Sequence, residues 1–302
     1  MIQSVAVVGA GALGLLYGDR IARVVGAENV TYVMDRERLE RHRGDVYTIN
    51  GEVRELRMCA PDEAVPADLA ILAVKDPAFA EALPVLDPCI GSGTIVLSVM
   101  NGIRSEEILA ERYPQAVVIP CVAQGMDAMR FGTTLTCTQA GLLLVGITDP
   151  EAEPALWELT ALLEKTDIPF RVAPDILHRM WGKFMLNVGV NQTCMAFDVP
   201  YGGVTGPGEA RETMIAAMRE VMTLAEAEGV ILTERDLRDY LAILDNIAPD
   251  AMPSMRQDAL QKNPSEVELF AGTVLALAKQ HGIDTPVNQF LYDRIKTMEA
   301  NY

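Results

Sequence analysis

The 302-residue sequence predicts an α/β protein in two parts, a parallel-sheet domain over residues 1–173 and an all-helical domain over 174–302. Three observations predict it. Short runs of β-branched and aliphatic residues recur through the first half, each ending in polar or glycine residues. The first run, Val5-Ala6-Val7-Val8, leads straight into Gly9-Ala10-Gly11-Ala12-Leu13-Gly14, an instance of G-x-G-x-x-G with a helical pattern behind it. After Pro174 the strand signals stop, and nearly every stretch is apolar at helical period. Strand, glycine-rich turn and helix in that order make the dinucleotide-binding unit of a Rossmann-type sheet.

Each element follows from its residues. Val5 to Val8 are apolar without alternation, as a strand buried on both faces of a parallel sheet requires. Leu13, Leu16, Ile21, Val24 and Val25 space the helix, and Gly26 ends it. Gly9 permits the tight bend, Gly11 lets the backbone approach a pyrophosphate, and Gly14 lets the helix pack on the strand. A helix N-terminus adds free N–H groups and partial positive charge. The whole run, with Ala10, Ala12 and Leu13 between its glycines, is therefore the expected cofactor cradle.

Val30 to Met34 reads as the second strand and ends at Asp35-Arg36, where such a sheet meets the adenosine ribose. Asp35 is placed to accept from the ribose hydroxyls of NAD, and Arg36 to grip the 2′-phosphate of NADP. The two readings conflict, and a solvated turn is the plainer alternative. Residues 46–58 alternate around Asn50-Gly51, which signals a hairpin. The buried runs Asp68 to Val74 and Thr94 to Val99 deliver Lys75 and Asn101 to the carboxyl ends of strands, where open sheets bind ligands. Their ordinary alternatives are an exposed loop charge and an Asn-Gly turn. Val117 to Val122, Thr133 to Thr138 and Gly141 to Val145 are extended, with a tight turn expected between the last two. Residues 151–165 are helical in period, and a short strand is expected near Phe170 to Val172.

Composition excludes some classes of function. A formal net charge of −17 disfavours nucleic acid or an anionic membrane as the main partner. No apolar run reaches the roughly 18 residues of a membrane span. Met1-Ile2-Gln3 leads directly into the first strand, so no targeting peptide and a cytoplasmic location are expected. Five scattered cysteines and three histidines lack metal-ligand spacing, and no metal is expected.

In the helical part, Lys183, Asn187 and Asn191 fall at i, i+4 and i+8, on one slowly drifting helix face among apolar residues and glycines. Buried without partners, such groups would each cost a few kcal/mol. They must face water or a polar cavity. Ser254, in Pro253-Ser254-Met255-Arg256-Gln257-Asp258, reads locally as a helix cap. Asn263, Pro264 and Glu266 form a capping-box-like pattern, with Glu266 at the third helical position.

Taken along the chain, these elements resemble the ketopantoate reductases (2-dehydropantoate 2-reductases), which pair a Rossmann domain with a helical one. The resemblance spans essentially the full length. It rests on the glycine run, Val74-Lys75, Asn101-Gly102, Trp181-x-Lys183-x₃-Asn187-x₃-Asn191, Ser254-Met255-x₂-Asp258, and Glu266 with Gly272. It implies reduction of a 2-keto acid by NADPH, first of all 2-dehydropantoate to (R)-pantoate in pantothenate biosynthesis. By the family pattern Lys183 is the proton donor, while Asn187, Asn191 and Ser254 hold substrate. Asn101 lies near the nicotinamide end, Lys75 belongs to the cofactor site, and Glu266 serves both cofactor and substrate. Partners are then a small 2-keto acid and, as an oligomer, a homodimer.

Two departures stand out. Asp35 occupies the place of an arginine found in typical NADP-binding members, which keeps NAD open as cofactor. Ten residues past Asn191, where some relatives carry a further substrate-contacting asparagine, this chain has Tyr201-Gly202. A related dehydrogenase of another 2-keto or 2-hydroxy acid, and a non-catalytic NADPH sensor, are the alternatives. A sensor has no need of a proton donor such as Lys183.

Overall fold

The computed structural model describes residues 1–302, which divide into two compact units, Met1–Ile176 and Leu177–Tyr302. The first carries all the strands: β1 Val5–Val8, β2 Val30–Val33, β3 Tyr47–Ile49, β4 Glu52–Arg54, β5 Arg57–Cys59, β6 Leu69–Leu72, β7 Ile95–Ser98, β8 Val117–Val118, β9 Cys121–Met126, β10 Met129–Phe131, β11 Thr134–Thr136, β12 Ala140–Val145 and β13 Phe170–Val172. Its helices are α1 Ala12–Val25, α2 Arg36–Arg41, α3 Phe79–Leu86, α4 Ser105–Arg112 and α5 Glu153–Leu163.

Six strands form a wholly parallel sheet in the order β5-β2-β1-β6-β7-β8. Strand alternation sorts its side chains onto two faces. Val5, Val7, Leu69, Ile71, Ile95 and Leu97 pack with Leu15, Leu16, Leu156 and Leu159 of α1 and α5. Ala6, Val8, Ala70, Leu72 and Val96 pack with Ala82, Leu86 and Leu109 of α3 and α4. Both faces are covered, which is why these strands read as unbroken apolar runs.

Two smaller sheets follow, in the orders β10-β11-β3-β4 and β13-β12-β9. The Asn50-Gly51 hairpin forms as expected: Tyr47 faces Arg54 and Ile49 faces Glu52, with φ of 50° at Asn50 and 82° at Gly51. It is clasped to α1 by the buried Asp19, which accepts from Arg23 at 2.6 Å and Arg54 at 2.5 Å. One expectation fails. The extended run 133–138 does not turn back on 141–145: β11 pairs antiparallel with β10 and parallel with β3, whereas β12 pairs with β9 and β13. The tight turn is instead at Gly132, φ 58°, between β10 and β11.

The second unit is helical: α6 Ile176–Ala196 (its first residue belonging to the first unit), α7 Gly202–Thr205, α8 Glu209–Ala227, α9 Glu234–Asp245, α10 Ser254–Leu260, a π-helical turn Glu268–Gly272, α11 Thr273–His281 and α12 Pro286–Glu299. Thr233 and Asp236 close α9 with a reciprocal capping box. The N-terminus of α12 is capped from α8, because Glu220 accepts from the N–H groups of Val287 at 2.8 Å and Asn288 at 2.9 Å. No helix is long and apolar enough to cross a membrane.

Candidate functional site

The glycine run connects β1 to α1, and its glycines are required for different reasons. Gly9 has φ 104°, a conformation costly for any residue with a Cβ, and an added Cβ would also lie 2.5 Å from the Ala73 carbonyl oxygen. At Gly14 a Cβ would come within 1.8 Å of the Gly9 carbonyl oxygen, so the helix packs on the turn only without one. Gly11 differs. A Cβ there would meet only the Ala73 oxygen, at an ordinary 3.6 Å. Packing within the protein does not demand this glycine, whereas close approach of a ligand would. Gly11 is the N-cap of a 14-residue helix with no acidic side chain in its first turn. That end presents free N–H groups and partial positive charge, so the residues present fit a dinucleotide pyrophosphate.

A contact that sequence reasoning missed reaches this turn from outside. Arg130, on β10, donates from Nη1 to the Ala10 carbonyl at 2.5 Å and from Nε to the Gly132 carbonyl at 2.7 Å.

At the end of β2, Asp35 and Arg36 both have partners within the protein. Asp35 is the N-cap of α2, its Oδ1 accepting from the Arg38 N–H at 2.8 Å, and its Oδ2 lies 3.3 Å from Arg38 Nε. Arg36 is the first helical residue and pairs with Asp62 at 2.5 Å, both side chains being well exposed. An exposed pair of this kind is worth little and exchanges readily for another anion.

Lys75 follows β6 as an exposed residue, and Asn101 follows β7 in a half-buried loop. The Asn101 loop bends at Gly102, φ 98°, and is stapled at its ends by the buried Ser98 and Ser105 hydroxyls, 2.8 Å apart. Because β2, β1, β6 and β7 are adjacent and parallel, Arg36, the glycine run, Lys75 and Asn101 all leave the same rim of the sheet.

In the helical unit α6 is buried nearly all round after its first turn. From Met180 to Ala196 only Lys183, Leu186 and Asn187 are half-buried, and Asn191 closes that face at 7% exposure. Gly182 and Gly189 mark a nearly opposite side. There a Cβ would lie 2.5 Å from the Tyr240 hydroxyl of α9 and 2.4 Å from Met218 of α8, so close helix packing fixes how α6 is turned. The polar stripe is thus the least buried side of this stretch of α6. Gln192, next to it, serves packing: it donates to the Val188 carbonyl at 2.8 Å and to Asn288 at 3.3 Å.

Ser254 is exposed and is the first residue of α10, with Pro253 as the cap position, so it does not cap the helix as its local sequence suggested. Asn263, Pro264 and Glu266 form no capping box either. Helical geometry begins only at Val267, whose N–H is accepted by the Ser265 hydroxyl at 3.3 Å. The Ser265 N–H goes in turn to Glu299 at 2.8 Å. Glu266 is left 6% exposed, two residues before the π-helical turn begins. Such turns are rare and occur frequently at functional sites. Sequence reading had no signal for it.

Residues 5–135 match the model of the family described as ketopantoate reductase PanE/ApbA, and residues 175–299 match its C-terminal counterpart. The chain belongs to the ketopantoate reductase family. The members of this family are NAD(P)H-dependent oxidoreductases. A 2-dehydropantoate 2-reductase from Aquifex aeolicus is 26% identical, over 99% of this chain and 98% of its own. Among solved structures, D-mandelate dehydrogenase with NADH and anilino(oxo)acetate has TM-score 0.85 at 21% identity, covering 99% of this chain and 98% of that one. Dimeric ketopantoate reductase from Staphylococcus aureus has TM-score 0.81 at 20% identity, covering 99% of each chain.

Proposed function

We propose that this protein reduces a 2-keto acid with NADPH, 2-dehydropantoate being the first substrate to test and (R)-pantoate its product. The bound nicotinamide supplies hydride to the keto carbon. The N-terminal unit holds the cofactor: the Gly9 to Gly14 backbone takes the pyrophosphate, Arg36 and Lys75 take the adenosine 2′-phosphate, and Asn101 serves the nicotinamide end. Lys183 donates a proton to the keto oxygen as negative charge builds on it, while Asn187 and Asn191 orient the substrate without titrating. Ser254 helps hold the carboxylate, and Glu266 serves both cofactor and substrate. The observation that carries this reading is the Lys183, Asn187 and Asn191 stripe on a helix otherwise buried. A protein that only sensed NADPH would gain nothing from a lysine and two amides held there.

NADP is favoured over NAD by the use to which Asp35 is put. Its carboxylate is already engaged by the α2 cap and by Arg38, while Arg36 is held by an exposed partner. A homodimer in the cytoplasm is the expected setting. A second reading, a different 2-keto acid whose side chain is less polar, is favoured by Tyr201, which puts an aromatic ring where some relatives have an asparagine amide. Burial, then the nearby Cys194, pushes its hydroxyl up to about 12, so it stays neutral and cannot serve as a charged anchor. The mandelate dehydrogenase neighbour, bound to an aryl-substituted oxoacetate, supports trying such acids.

The test is NADPH and NADH absorbance decay against a panel of 2-keto acids. Turnover of 2-dehydropantoate far above the others confirms the first reading. Preference for an aryl or branched acid moves the assignment to the second, and no turnover of any keto acid refutes both.

A further inference from the structure

The bond from Arg130 to Ala10 joins residues 120 positions apart and ties the four-stranded sheet to the middle of the glycine turn. Its consequence lies in peptide geometry. In a planar trans peptide the C=O of one residue and the N–H of the next point in opposite directions. Fixing the Ala10 carbonyl toward Arg130 therefore fixes the Gly11 N–H the other way. Gly11 is the position where a Cβ has room within the protein and where α1 begins. Arg130 is itself braced, since its Nε is held by the Gly132 carbonyl at the turn between β10 and β11. A guanidinium carries five N–H donors, and these two bonds use only two of them. In a chain with formal net charge −17, it also places a permanent cation beside a turn expected to hold an anion.

We infer that Arg130 is a positioning residue for the dinucleotide pyrophosphate, acting through the Ala10–Gly11 peptide. The inference rests on the cofactor reading above and extends it to a residue outside the glycine motif. It has a distinctive signature. NADPH and NADH share the pyrophosphate and differ only at the 2′-phosphate, so loss of Arg130 must weaken both by the same factor. Loss of Arg36 must weaken NADPH alone.

The experiment measures dissociation constants of the full-length chain for NADPH and for NADH by fluorescence titration, together with kcat, KM and Tm. Arg130→Met is expected to raise both dissociation constants about tenfold to a hundredfold, the range for a hydrogen bond made by a charged group. With cofactor saturating, kcat should stay within about twofold, because no group attending the keto acid is altered. Arg130→Lys keeps the charge but lacks the rigid planar fork that meets both carbonyls at once, so it should restore part of the affinity for both cofactors. The inference is overturned if Arg130→Met leaves both constants unchanged, or changes only one. It is also overturned if kcat and Tm collapse together with affinity in both variants, which would make the arginine a fold contact. Wild-type protein that binds neither dinucleotide would instead refute the cofactor reading itself.

Discussion

The glycine turn of the first unit and helix α6 of the second are built by opposite means. At the turn, the groups expected to meet a ligand are backbone N–H groups, and the side chains that matter are the ones that are missing: a Cβ at Gly9 or Gly14 would strike a carbonyl oxygen. Along α6 the backbone is consumed by the helix, and the proposed chemistry lies in the side chains of Lys183, Asn187 and Asn191. Glycine reappears there in a different role, letting Met218 and Tyr240 approach and so fixing which face the polar stripe occupies. A backbone-built site should tolerate no added atoms yet survive loss of neighbouring side chains. A side-chain-built site should keep its fold and lose its chemistry when truncated.

The largest effect expected is on the α6 side. Lys183→Ala should lower kcat by about 10²–10⁴-fold, the usual contribution of a positioned acid, while dinucleotide affinity stays within a few-fold. Lys183→Arg should recover little, because its pKa is far higher and its shape differs. Asn187→Ala and Asn191→Ala should chiefly raise KM for the keto acid. If Lys183→Ala turned over any 2-keto acid within a few-fold of wild type, α6 would carry no chemistry and the contrast would vanish.

On the turn, two alanine substitutions three residues apart should separate folding from binding. Gly14→Ala drives a Cβ to 1.8 Å from the Gly9 oxygen. It should destabilise the first unit by about 3 kcal/mol or more, at the upper end for overpacking. Gly11→Ala meets nothing closer than 3.6 Å. Its Tm should move by no more than about 2 °C, yet dinucleotide affinity should fall at least about tenfold. Equal Tm losses in the two variants would show that Gly11 is a packing glycine like its neighbour.

How much of this was legible in the sequence depends on the range of each interaction. The β1 turn, the Asn50-Gly51 hairpin and the buried strands were legible because backbone conformation and burial leave marks within ten residues. The pairing of β11 with β3 was not: Thr134 meets Thr48, 86 positions away. The Arg130 contact with Ala10 was hidden for the same reason. Caps were the least legible feature. The sequence reading gave Asp35 no capping role, yet it caps α2, while Asn263 looked like a cap and caps nothing, because Glu299 holds the Ser265 N–H and the helix starts later. Local rules weigh the residues that can cap; the tertiary partners decide where the helix begins.

Arg36→Ala tests the rim at smaller scale. Removing a guanidinium that would otherwise take the 2′-phosphate should raise KM for NADPH about tenfold and spare NADH. Equal changes for both cofactors, or wild-type preference for NADH, would refute the assignment.

The smallest and most discriminating change is Asp35→Asn. Asparagine caps helices about as well as aspartate, so α2 should persist and Tm should shift by less than about 2 °C. Asp35→Ala, which removes the cap, should cost about 1 kcal/mol. What Asp35→Asn does remove is a negative charge, 3.3 Å from Arg38 Nε and one residue from Arg36. If the carboxylate serves the cap and the arginines serve a 2′-phosphate, this frees Arg38 and eases a like-charge repulsion. NADPH affinity should then rise a few-fold, with NADH unchanged. If instead Asp35 accepts from the ribose hydroxyls of NADH, the same substitution should weaken NADH by about tenfold, as expected for losing a hydrogen bond to a charged group. The two outcomes move different cofactors in opposite directions. One pair of titrations on a variant that still folds therefore decides whether the end of β2 is a cap beside a phosphate site or the acceptor of an unphosphorylated ribose.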